Sequence, residues 1–202
     1  MIVLEDRELV IITPPHTGSR HLHKTLCSPA WGGVYVVGPA PDGISFDHHI
    51  VRVPEEWWTF RKALVVRNPR TRLMGLFRHH NWWIKQQRRD EMQWPVFVRL
   101  VARDDWHSLS WLYRFTISRL VCDLVPDEII RFEALDADVS RLLGTPVDVV
   151  PAYTYDDGSV SPVWNTQLCN IAAEWLSEDA ARFGYLETAH AIDQTAKHYK
   201  CS

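Results

Sequence analysis

The run Glu8–Thr13 (ELVIIT) sets the tightest constraint on the fold, because a short stretch of apolar and β-branched residues stops at the pair Pro14-Pro15. Proline has no N–H for a sheet ladder and pushes the preceding residue out of helical geometry, so a strand ends here and a loop begins. The run does not alternate apolar with polar residues, which suits a strand covered on both faces, as in a parallel sheet. The same grammar recurs along the chain. Ser19–Leu26 reads as the first turns of a helix, Gly33–Gly38 (GVYVVG) as a second strand, and Ala63–Val66 (ALVV) as a third. That third strand runs into Arg67-Asn68-Pro69, where proline suits the first turn of a helix expected to continue toward Arg89. Apolar spacing is helical from Trp94 to Leu124, Glu128–Phe132 (EIIRF) reads as a fourth strand, and Ala134–Leu143 as a short helix closed by Gly144. Pro151–Pro162 (PAYTYDDGSVSP) has loop composition, and a terminal helix is expected over Thr166–Phe183, ending at Gly184. The alternation predicts an α/β fold with helices layered on a central parallel sheet.

At 202 residues, 46% hydrophobic and 23% charged, the chain is expected to form a single domain over residues 1–202. A formal net charge of −3 argues against a general nucleic-acid binder. The charge is unevenly spread: 11 of the 22 Lys and Arg residues lie between Arg61 and Arg103, with only Asp90 and Glu91 opposing them. Cys27, Cys122, Cys169 and Cys201 form no CxxC pair, which fits a reducing compartment. The opening MIVLEDRELVII carries acids where a signal peptide needs positive charge, and no apolar run approaches the ~20 residues of a membrane span. A cytoplasmic protein without a membrane or nucleic-acid partner is the expectation.

A strand that ends in a loop rich in Pro, Gly and hydroxyl groups, followed by a helix, gathers backbone N–H groups and the helix dipole into an anion site. TPPHTGSRHL has that form, although a capped helix start with no ligand has it too. It is not the nucleotide-kinase loop, since the GxxxxGK spacing and its lysine are missing. The local pairs His21/His23 and His79/His80 lack a further ligand at metal-binding spacing, so no metal is expected. Trp82 and Trp83 beside Arg78, Lys85, Arg88 and Arg89 read either as an aromatic and basic surface for an anionic acceptor or as an amphipathic helix with buried tryptophans.

With two further segments the chain resembles the sulfotransferase superfamily that uses 3'-phosphoadenosine-5'-phosphosulfate (PAPS), closest to its carbohydrate branch. Pro15, Thr17, Gly18 and Ser19 match the family's 5'-phosphosulfate loop. Arg67, Asn68, Pro69, Arg72 and Leu73 in ALVVRNPRTRLMGLF match its 3'-phosphate segment. EIIRFEALDADVSRLLG and SEDAARFGY resemble two later segments, and all four occur in family order from Thr13 to Tyr185. The resemblance implies a P-loop-like three-layer α/β/α fold of the sulfotransferase type. It also implies a cofactor site of Pro15, His16, Thr17, Gly18, Ser19, Arg20, Arg67 and Gly75, with PAPS as co-substrate and 3',5'-ADP as product.

Three positions depart from the family pattern. His16 stands where the family has a lysine on the leaving phosphate, Arg20 replaces a hydroxyl residue, and Gly75 replaces a serine on the 3'-phosphate. Arg72 or Arg78 could take over that last contact. Transfer to a hydroxyl needs a general base, and the resemblance points to His49, with His48 beside it; adjacent side chains diverge, so one of the two faces the site. Glu55 and Glu56 are further candidates, and equally an acidic helix start. The implied activity is sulfuryl transfer to a small-molecule or carbohydrate acceptor. The alternatives are a catalytically impaired PAPS- or 3',5'-ADP-binding protein of the same fold and, on weaker grounds, a nucleotide or small-molecule kinase.

Overall fold

The computed structural model describes residues 1–39, 46–47, 52–103, 115–121, 123–150 and 162–185. The chain forms two compact units: Met1–Arg67 with Arg119–Thr154, and Asn68–Ser118 with Tyr155–Ser202. Neither unit is a continuous half of the sequence, which is why composition draws no boundary between them.

The first unit is α/β. Its five-stranded sheet has the order β3-β1-β2-β6-β7, built from β1 (Ile2–Leu4), β2 (Leu9–Ile12), β3 (Val34–Tyr35), β6 (Arg61–Val66) and β7 (Glu128–Arg131). A separate short ladder pairs β4 (Gly38–Pro39) with β5 (Phe46–Asp47). β2, β6 and β7 are parallel neighbours, with Ile12 opposite Leu64 and Val66 opposite Arg131. The sheet is mixed, however, rather than wholly parallel: β1 lies antiparallel to both β2 and β3. The reason is the length of the link. β1 and β2 are joined only by the 3-10 turn Glu5–Arg7 and by Glu8 in the left-handed region at φ 47°, and so short a connection can join only antiparallel strands.

Ile2, Leu4, Leu9, Ile11, Ala63, Val65 and Ile130 form one buried side of the sheet. They pack on Leu22 and Leu26 of α1 (Ser19–Leu26) and on Leu135, Val139, Leu142 and Leu143 of α5 (Leu135–Leu143). Val3, Val10, Ile12, Leu64 and Val66 alternate to the other side and are equally withdrawn from water. Burial on both faces accounts for the unbroken apolar runs in the sequence. α5 ends as expected, with Gly144 at φ 68° returning its N–H to the Ser140 carbonyl.

The second unit is helical where described. α2 (Pro69–Gln86) begins at Asn68, whose side chain accepts the N–H groups of Arg70 and Thr71 at 3.0 and 3.5 Å, with Pro69 in the first turn. α3 (Trp94–Ala102) packs Phe97, Val98 and Val101 with Leu73, Leu76 and Phe77 of α2 and with Leu168, Trp175 and Leu176. The helical stretch expected to Leu124 is represented, among the described residues, by α3 and by the single turn α4 (Ile117–Leu120). The terminal helix is two helices, α6 (Thr166–Ile171) and α7 (Ala173–Phe183), separated at Ala172 and closed by Gly184 at φ 72°. Asp179, fully buried on α7, accepts the N–H groups of Ile117 and Ser118 at 2.8 and 2.7 Å and so anchors the start of α4. The segment resembling the family's terminal pattern thus has a structural use for its aspartate. No helix among the described residues is long and apolar enough to cross a membrane.

Candidate functional site

Because β2, β6 and β7 run parallel, the segments after them leave the sheet at one edge, the carboxyl ends where open α/β sheets bind ligands. Those segments are the loop Thr13–Gly18, the residue Arg67, and the 3-10 turn Phe132–Ala134. The loop is tightly built. Thr17 turns back on Pro14, its N–H and its hydroxyl both donating to the Pro14 carbonyl, at 3.3 and 2.7 Å. His16 between them sits in the left-handed region at φ 63°, and Gly18 caps α1 at φ 98°. A side chain at Gly18 is barred by contact as well as by backbone angle, since a Cβ there would lie 2.8 Å from Cδ2 of Phe132.

Arg67 closes the arrangement. Its Nη1 donates to the His16 carbonyl at 3.2 Å, and its guanidinium carbon stands 4.2 Å above the centre of the Phe132 ring. His21, in the first turn of α1, meets that ring edge-on with centroids 5.9 Å apart. Burial first, then the charges of Arg67 and Lys24, hold the His21 pKa below its usual 6.5. The result is a fixed cation and the amino end of a helix beside a neutral imidazole, an environment that favours a bound anion.

The structure brings Pro15, His16, Thr17, Gly18, Ser19, Arg20 and Arg67 to this edge. Pro15, Thr17 and Ser19 are buried, His16 and Arg67 half-buried, and Arg20 exposed. Gly75 lies in the second turn of α2, half-buried and with no side chain to offer. His48 and His49 lie outside the described residues. Arg72 is fully buried, donates from Nη1 and Nη2 to the Phe115 carbonyl, both at 3.1 Å, and stands 5.6 Å from the Trp175 ring centre. Arg78 is half-buried. Glu55 and Glu56 are exposed in the first turn of a 3-10 helix that follows Pro54, the acidic helix start of the two expectations. Trp82 stacks on His79 with centroids 6.0 Å apart and Trp83 is 48% exposed, so neither is a core residue.

Phe132 and His21 are the site residues that sequence reasoning did not select. Phe132 follows β7 directly, and the rule that parallel strands deliver ligand residues at their carboxyl ends would have found it. His21 carried no comparable signal, because its role depends on the Phe132 ring reaching across from β7. Among the described residues no group of three or more His, Cys, Asp or Glu side chains is arranged to hold a metal ion. No family model and no curated protein matches this chain.

Proposed function

We propose that the protein is a PAPS-dependent sulfotransferase of the P-loop-like, three-layer α/β/α type, acting on a hydroxyl of a carbohydrate or similar acceptor. The observation that carries this reading is the bond from Arg67 to the His16 carbonyl. It joins two segments 51 residues apart in sequence, the loop and the arginine that the resemblance assigns to the two phosphate ends of one nucleotide.

PAPS supplies an activated sulfuryl group, whose bond to the 5'-phosphate oxygen breaks as the acceptor oxygen bonds to sulfur. The chain's task is to position and to neutralise charge, as in phosphoryl transfer. The first N–H groups of α1 and the Ser19 hydroxyl bind the 5'-phosphosulfate, and Arg67 selects the 3'-phosphate. A guanidinium can serve a backbone carbonyl and a phosphate together because its N–H donors form a planar fork. His16 and Arg20 offset charge on the leaving phosphate. His49, or its neighbour His48, removes the acceptor proton.

A second reading, binding of PAPS or 3',5'-ADP without transfer, has one observation in its favour: the Thr17 hydroxyl is already given to Pro14 at 2.7 Å. Calorimetric titration with 3',5'-ADP, AMP and ATP tests the shared premise. Clear preference for 3',5'-ADP supports the site, and a screen of hydroxyl acceptors with PAPS then separates transfer from binding. No binding, or preference for ATP, overturns both readings.

A further inference from the structure

We propose that Phe132 is a positioning residue of this anion site: its ring, packed against Gly18 of the loop, fixes the Arg67 guanidinium. The ring is engaged on three sides. Arg67 stands over its face at 4.2 Å, the His21 ring meets it at an interplanar angle of 83°, and its Cδ2 and Cε2 atoms occupy the space that a Gly18 Cβ would enter. Phe132 also packs against the core formed by the sheet, α1 and α5, so the ring is itself held. Arg67 is thereby restrained at two points, Nη1 on the His16 carbonyl and the guanidinium plane over the ring.

An unrestrained arginine loses rotamer freedom when it is fixed on a ligand. A guanidinium already held by an aromatic face gives up less of it at binding, which is the advantage of preorganisation. The quadrupole of the ring is what a purely space-filling role does not need. Leucine would fill much of the same volume, keep contact with the core and leave the arginine without its platform. The proposal rests on the reading that Arg67 receives a 3'-phosphate, and the test separates the two.

Wild type, Phe132→Leu and Phe132→Tyr are compared by calorimetry with 3',5'-ADP and with AMP, and by NMR titration of the His21 imidazole in the ligand-free protein. Phe132→Leu is expected to weaken 3',5'-ADP by about tenfold, the change matching a partly desolvated cation–π contact, with AMP affinity and melting temperature near wild type. Phe132→Tyr, which keeps the aromatic face, restores the affinity. In the ligand-free Leu variant the His21 pKa rises toward 6.5, because the ring that buries it is gone and Arg67 is released. Equal losses for both nucleotides in both variants overturn the proposal, as does a Leu variant with wild-type affinity and an unmoved His21. If wild type itself does not prefer 3',5'-ADP, the PAPS reading fails, and the His21 titration alone decides whether Phe132 positions Arg67.

Discussion

Arg72→Lys separates a structural arginine from a ligand-binding one. Arg72 is 0% exposed, spans to the Phe115 carbonyl with two N–H donors at 3.1 Å, and faces the Trp175 ring at 5.6 Å. Lysine keeps the charge in the same buried place but replaces the planar fork by a compact ammonium, which is a poor match for a site that uses both donors and a stacking face. A hydrogen bond from a charged donor contributes about 1.5–3 kcal/mol, and a desolvated cation–π contact up to about 2 kcal/mol. Losing part of each predicts destabilisation of roughly 2–4 kcal/mol. Urea unfolding followed by tryptophan fluorescence measures it, with Trp175 in direct contact with the change. The affinity of the folded variant for 3',5'-ADP should equal that of wild type. A stability change under about 1 kcal/mol, well below the hydrogen-bond contribution alone, or a selective loss of 3',5'-ADP binding, would refute the assignment and return Arg72 to the phosphate site.

Arg67→Ala should weaken 3',5'-ADP at least tenfold more than AMP, by the loss of a charge-assisted contact to the 3'-phosphate; calorimetry giving equal losses would remove Arg67 from that role. Gly18→Ala brings a Cβ within 2.8 Å of Phe132 at a backbone φ of 98°. It should lower stability by about 1–3 kcal/mol and reduce nucleotide affinity, both read in one thermal-shift series with and without 3',5'-ADP. Asp179→Ala leaves the buried N–H groups of Ile117 and Ser118 without their acceptor. A loss of roughly 2–4 kcal/mol is expected as a lower urea midpoint at unchanged slope. His80 is 4% exposed, and burial holds its folded-state pKa below 6.5. The unfolded chain therefore takes up the proton first as pH falls, so stability should decline below about pH 6.5 by up to about 1.4 kcal/mol per pH unit. Urea midpoints across that range should show the slope in wild type and a flatter one in His80→Gln.

What was legible in the sequence follows from how local the determinants are. α1, the start of α2 at Asn68-Pro69, and α5 with its closing Gly144 fall where expected, because caps and glycines act within one turn. β2, β6 and β7 were readable as apolar runs bounded by turn signals. β1 was not, because Ile2–Leu4 is short and the turn Glu5–Glu8 contains no Gly, Pro or Asn to announce a hairpin. The division at Ala172 has no proline or glycine to announce it either. In the site, Arg67 and the loop could be named from motifs, whereas the ring that joins Arg67 to Gly18 and His21 is a product of the pairing of β6 with β7. Arg72 shows what a motif leaves unread: its guanidinium donates twice to the Phe115 carbonyl, a contact that only the fold reveals.

The left-handed backbone at His16 bears on which residues this loop can accept over evolutionary time. At φ 63°, β-branched and bulky side chains are strained by about 1–2 kcal/mol, while Asn, Asp and His visit the region several times more readily than other non-glycine residues. Exchange at position 16 therefore passes through two filters, the chemistry that an anion asks of the side chain and the geometry that the Pro14–Thr17 turn asks of the main chain. A lysine introduced there would satisfy the first and burden the second. The main chain of the turn thus constrains position 16 independently of any ligand, and the histidine meets that constraint at less cost than a bulkier or β-branched residue.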